Sequence, residues 1–273
     1  MNTSLRENYQ NFKIFFTFLL FWFSIQFGTI IEDVVAYFLV ATIGILHGAN
    51  DLLIISKAKN TRKIFLKNLI VYIGIILCCV FLFFVIPKIS IVLFVVISSY
   101  HFGEEHLDSC IDINFIFNSF YFLFYGLLIF SMIFFNSLED VNIILTQIIE
   151  NEISSQYTLS LLYFSVLGFF LLNLYLFITK RISKKIVIKE VFYLLLLFLV
   201  FKTSSLIFGF AVYFIFWHSL PSLIDQIKIL HGTVNVRSVK YYIKSSILCW
   251  ILAIMGLIFS IYFLNNNDGI HKK

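Results

Sequence analysis

Three short stretches place metal-ligating side chains inside runs that are otherwise apolar: Leu46-His47-Gly48-Ala49-Asn50-Asp51, Ser98-Ser99-Tyr100-His101-Phe102-Gly103-Glu104-Glu105-His106, and Phe216-Trp217-His218-Ser219-Leu220-Pro221-Ser222. Ionisable groups at membrane depth are costly, so they face a protein interior or an aqueous cavity and mark a functional site. Neutral imidazole is a common ligand for Zn, Cu, Fe and Ni, and an apolar surrounding favours the neutral form. His47, His101 and His218 are therefore the candidate ligands of one metal centre. Four positions after each, on the same helical face, stand Asp51, Glu105 and Ser222. A metal-bound histidine gives its second ring N–H to a carboxylate, carbonyl or water, a role that suits Asp51 and Glu105. Gly48 and Gly103 next to two of the ligands would let helices approach closely. Pro221, which lacks an N–H, would free the carbonyl of Trp217 and kink the chain beside His218. His106 and His231 are candidates for a fourth ligand, while His271 lies in the tail.

These residues need elements to position them, and composition says which. The chain has 273 residues, 60% of them hydrophobic, 35 of them Phe, with 13% charged. Apolar segments separated by charged turns fall at 14–31, 34–55, 69–86, 90–107, 115–135, 158–178, 191–201, 203–224 and 246–264, each read as a helix because only helices and closed barrels satisfy their backbone in lipid. The expectation is an all-α integral membrane protein, a polytopic bundle of about nine transmembrane helices forming one domain over 1–273. Eight spans result if Lys202 lies within a single longer helix. The segment 136–157 reads as an outer loop able to form a short amphipathic helix at the interface.

Positive charge sets the orientation. With the N-terminus cytoplasmic, the inner side receives Arg6 and Lys13, the cluster from Lys57 to Lys67, the cluster from Lys180 to Lys189, and the group from Lys228 to Lys244. The outer side keeps Lys88, Lys202, Lys272 and Lys273 and gathers Glu32, Asp33, Glu139, Asp140, Glu150 and Glu152, which is the positive-inside pattern. In that topology the second, fourth and eighth spans run the same way, and their histidines fall roughly 10–14 Å from the cytoplasmic surface at about 1.5 Å per residue. A shared depth argues for a shared site.

Composition also excludes classes. The net charge of +5 is spread over loops, which fits membrane orientation and not nucleic acid. Cys78, Cys79, Cys110 and Cys249 have neither disulfide-framework nor metal-type spacing and read as packing residues. No clustered H-x-x-H-H boxes of a di-iron desaturase are present, and Lys202 lies at the outer surface, unsuited to a retinal Schiff base. A haem protein using two of the histidines as axial ligands, or a transporter using them with Asp51 as a proton path, stays open at this point.

The segments Gly44-Ile45-Leu46-His47-Gly48-Ala49-Asn50-Asp51-Leu52-Leu53, Ser99-Tyr100-His101-Phe102-Gly103-Glu104 and Trp217-His218-Ser219-Leu220-Pro221-Ser222 resemble the HG-x-x-D, YHFG and WHS motifs of the Brp/Blh family of integral-membrane β-carotene 15,15′-dioxygenases. The resemblance extends over about 40–230. It implies a non-haem Fe(II) centre, with His47, His101 and His218 as ligands, that uses O2 to cleave the central double bond of β-carotene into two retinal molecules in the cell membrane. A rhodopsin would then be a downstream user of the product. The family pattern carries a further histidine four positions after the one matching His218, and here that position is Ser222.

Overall fold

The computed structural model describes residues 3–56, 62–107 and 115–267, and among them there are helices and no strand. Lys57, Lys59, Cys110, His271, Lys272 and Lys273 lie outside the described residues. The helices are α1 (Thr3–Gln26), α2 (Thr29–Leu39), α3 (Ile45–Gly48), α4 (Asp51–Ser56), α5 (Arg62–Val85), α6 (Pro87–Leu107), α7 (Phe115–Asn136), α8 (Leu138–Ile149), α9 (Ser155–Ile178), α10 (Lys184–Thr203), α11 (Leu206–Val212), α12 (Leu220–His231) and α13 (Val236–Asn267). Among the described residues two π-helical segments interrupt this series, Val40–Gly44 before α3 and Tyr213–Ser219 after α11.

Six helical stretches among the described residues are long and apolar enough to cross a membrane: Thr29–Ile55, Lys63–Val85, Phe117–Asn136, Ser155–Ile178, Leu206–His231 and Val236–Ser260. Two boundaries differ from the sequence expectation for physical reasons. The first break falls at Gly28 and not at the charged pair Glu32-Asp33. Those acids lie in the first turns of α2, where the helix N-terminus favours negative charge, and they hold Ser205: its backbone N–H donates to Glu32 Oε2 at 2.6 Å and its hydroxyl to Asp33 Oδ1 at 2.5 Å. The second is the end of α10. Lys202 sits in its last turn, and the extended Ser204-Ser205 pair separates it from α11, so the two segments are distinct helices. The expected amphipathic helix within 136–157 is α8.

The chain forms two compact units, one of residues 1–37 and 75–218, the other of residues 38–74 and 219–273. In the first, α6 and α7 meet backbone to backbone. A Cβ on Gly103 would come within 1.9 Å of the Phe122 carbonyl oxygen, and one on Gly126 within 1.9 Å of that of Ser99. Each glycine lies four residues from the position its partner touches, so the crossing is reciprocal. Gly103 thus has the role its sequence setting suggested, whereas Gly48 has only the Asp51 carboxylate near it. On the other face of α7, Ser131 meets Ser165 at 2.8 Å and the Tyr121 hydroxyl donates to Asn173 Oδ1 at 2.9 Å, fixing α9. Interhelical side-chain hydrogen bonds of this kind join helices where apolar surface alone gives no preference.

In the second unit Asn50, fully buried between α3 and α4, is the organising residue. Its amide donates to Ser246 Oγ at 2.6 Å and to the Tyr242 carbonyl at 3.3 Å, and it accepts from Ser245 Oγ at 3.1 Å. These bonds hold the interruption at Ala49-Asn50 against α13.

Candidate metal centre

His218 lies in the π-helical segment Tyr213–Ser219, and π-turns inside α-helices occur frequently at functional sites. The sequence explains how this one is tolerated. In an i→i+5 register the carbonyl of Phe216 faces Pro221, which has no N–H to give. The Tyr9 hydroxyl of α1 donates to that carbonyl instead. The carbonyl freed by Pro221 and taken up elsewhere is therefore that of Phe216, not that of Trp217 as an α-helical register predicts. The other π segment is served similarly: the Trp250 indole N–H donates to the Ala41 carbonyl at 2.7 Å.

Trp217, beside the histidine, is fixed from several sides. Its Nε1–H donates to Thr17 Oγ1 at 3.0 Å, the Lys13 ammonium lies 4.2 Å from its ring centre, and Tyr193 meets it edge-on at 4.9 Å. A cation over a desolvated indole face is among the stronger side-chain contacts. With Trp217 and Phe216 both held, the position of His218 on the next residue is determined.

Within this unit the fold brings His101 of α6 to His218. Their ring centres are 4.8 Å apart and nearly perpendicular. His218 is buried, flanked by Phe102 at 4.8 Å and stacked on Phe214 at 5.6 Å, while His101 is exposed. The Phe102 and Phe214 rings against His218 are hydrocarbon. Two imidazoles held so close, one buried and one open to approach, are a donor set that suits a transition-metal ion such as Zn, Cu, Fe or Ni. His47, at the end of the other unit's π-to-α junction, is half-buried in α3.

The remaining candidates separate. His106 does not turn toward His101: its Nε2–H donates to Glu190 Oε2 at 2.7 Å, and its ring stacks on Tyr125 at 4.7 Å, both partners being buried. That corrects its candidacy as a fourth ligand, because five residues place it round the helix from His101, facing α7 and α10. His231 is exposed at the end of α12, with Tyr241 6.3 Å away. Ser222 is buried and accepts from Gln226 Nε2 at 3.4 Å, and Gln226 in turn accepts from the Tyr242 hydroxyl at 2.5 Å. Asp51 opens α4 beyond the break at Ala49-Asn50, so the uninterrupted helix assumed between His47 and Asp51 is absent. Glu105 is half-buried on α6, and the neighbouring Glu104 accepts from the Tyr100 hydroxyl at 3.0 Å.

Sequence reasoning missed Tyr9, Thr17, Glu190, Asn50 and Tyr242. Each is polar within or beside an apolar run, which is a signal of sorts, but their partners lie far away in the chain and no spacing rule connects them.

No curated protein and no solved structure matches the chain. The family model for beta-carotene 15,15′-dioxygenase matches residues 38–273, a range that contains all three motif histidines and the π segments before His47 and around His218. Since that match covers most of the chain, the protein whose motifs and aromatic-walled histidine pair have been described belongs to the beta-carotene 15,15′-dioxygenase family.

Proposed function

We propose that the chain cleaves the central 15,15′ double bond of β-carotene with O2, giving two molecules of all-trans-retinal, at a non-haem Fe(II) centre held by His47, His101 and His218. The observation that carries this reading is the imidazole pair of His101 and His218, with Phe102 and Phe214 against His218, in a chain of this family. One C=C bond and the O–O bond break and two C=O bonds form, so no further reductant is required. Ferrous iron, when bound, supplies the one-electron chemistry that lets triplet O2 react with a closed-shell polyene.

The protein's own residues do the rest. His218 is immobilised through Trp217 and the bonded Phe216 carbonyl, which keeps one ligand oriented. Phe102 and Phe214 exclude water from the space over the pair and present flat faces to a flat polyene. His101 is exposed, on the side from which a lipid-dissolved substrate would arrive. Asp51 and Glu105 are the proposed orienting carboxylates, and Ser222, unlike a histidine at its position, would offer the metal no imidazole. Both units act together as one transmembrane domain of about nine spans in the plasma membrane, with the N-terminus cytoplasmic and a rhodopsin as downstream user of retinal.

The test is expression in cells that accumulate β-carotene, with chromatography for retinal and metal analysis of the purified protein. Wild type should form retinal and contain iron. His101→Ala and His218→Ala should each lower retinal by about 100-fold or more with loss of iron. Folded, iron-loaded protein that leaves β-carotene intact would remove this substrate, and a porphyrin absorption band would replace the reading with a haem protein.

A further inference from the structure

Two aromatic rows leave the His101–His218 pair within the first unit. One runs along a single helical face, from His218 to Phe214 at 5.6 Å and on to Phe210 at 5.4 Å, every step stacked. The other runs from His218 to Phe102 at 4.8 Å, then to Phe130 at 5.4 Å with the rings nearly parallel, then to Phe134 at 5.8 Å. Both rows end at the same place. Phe210, Phe130 and Phe134 are walls of a cavity of about 540 Å³ closed by α8 through Val141 and Leu145.

Three properties decide what this cavity takes. Its volume lies within the range of about 300–1,000 Å³ seen for small-molecule sites. Every residue lining it is apolar, with no hydroxyl, amide or charge among them. Phe94, Ile144 and Ile148 of its lining are exposed, so it is reached across apolar side chains. Its distance from His218 along the helix, eight residues at about 1.5 Å each, is near the half-length of a carotenoid polyene from central double bond to ring.

The geometry points to this cavity as the subsite for one cyclic end group of the carotenoid, with the polyene lying along the two aromatic rows and its central bond at the histidine pair; this rests on the proposed carotene cleavage. The subsite is also the specificity determinant. An unsubstituted hydrocarbon ring loses nothing on entering, whereas a ring hydroxyl leaves its water partners and finds no donor or acceptor. Discrimination against a ring-hydroxylated carotenoid is on the order of tenfold to a hundredfold, the scale at which a hydrophobic pocket rejects an added hydroxyl.

The full chain in lipid nanodiscs tests this with two readouts: binding of β-carotene to chelator-treated protein, followed by quenching of tryptophan fluorescence, and retinal formation by the iron-loaded protein. Leu145→Trp fills the cavity and should weaken β-carotene binding at least tenfold with iron content unchanged. Val141→Thr keeps the volume and adds a hydroxyl, and it should narrow the preference for the unsubstituted over the ring-hydroxylated carotenoid several-fold. If wild type binds and cleaves β-carotene and both variants do so equally well, the cavity is not the ring subsite and the function stands without it. A change confined to the number of retained phospholipids would likewise overturn the proposal, making the cavity a site for an acyl chain. Wild type that neither binds nor cleaves β-carotene would remove the function reading, and the subsite with it.

Discussion

The bond between His106 and Glu190 shows how a residue picked out by type can be committed elsewhere by its neighbours. Histidine near the end of an apolar helix reads as a ligand, and nothing local says that a glutamate 84 residues later will accept its N–H at 2.7 Å. Both side chains are almost fully buried, with the Lys189 ammonium 3.7 Å from the second carboxylate oxygen. Breaking such a pair from one side leaves polar groups stranded, so Glu190→Leu should cost about 3–5 kcal/mol. Glu190→Gln, which keeps an acceptor, should cost less than half as much; thermal unfolding in detergent of the two variants beside wild type measures both. Ser222 is the complementary case. It stands where the resembling family carries a histidine, and in this chain it takes a hydrogen bond from Gln226. Ser222→His adds an imidazole at that position and should slow loss of iron to a chelator about tenfold, a magnitude typical of changes around a metal site. An unchanged rate would mean that position 222 does not face the metal.

Elements make the site precise where residue types only nominate it. The two π segments were invisible in the sequence, because a π-turn has the composition of any helix and is recognised only by which carbonyls go unbonded. Pro221 was the one local clue, and it pointed one residue away from the carbonyl that Tyr9 serves. This yields a paired prediction. Tyr9→Phe removes the donor and leaves the buried carbonyl of Phe216 unsatisfied, costing about 1–3 kcal/mol. In a Pro221→Ala background, where a backbone N–H is restored, the same change should cost under half that amount; a double-mutant cycle on unfolding temperature reads the coupling. The α6–α7 crossing was partly legible. Gly103 stood out beside His101, but its counterpart Gly126 lies in a uniformly apolar run with nothing to single it out. A methyl at either position meets backbone at 1.9 Å, so the helices must separate. Gly126→Ala should destabilise by about 1–3 kcal/mol, the range for overpacking, and lower retinal formation because Ser99 sits two residues from His101.

At the scale of the whole molecule the helical class was legible because bilayer length and hydropathy are coarse signals that survive local irregularity. The positions of breaks were less so, since charged residues read as turns can instead be buried and bonded, as Glu32 and Asp33 are to Ser205. The same ambiguity governs the number of spans. Six stretches meet a criterion of length and hydropathy, while α1, α6 and α10 are long helices whose charged and polar residues, at both ends of α6 and α10, depress their averages. Counting those three as membrane-crossing gives about nine spans, an odd number, and cationic loops then gather on the side of the N-terminus. An odd count puts the two chain ends on opposite sides. Reporter fusions test this directly: a fluorescent protein that folds only in the cytoplasm should be active when joined before Met1 and in the turn between α9 and α10, which carries Lys180 and Arg181. A phosphatase that folds only outside should be active when joined after Lys273. Cytoplasmic activity at both ends would require an even count. One of the three charge-flanked helices would then lie along the membrane surface, and α6, which brings His101 to His218 and packs backbone to backbone on α7, would be the last to reassign.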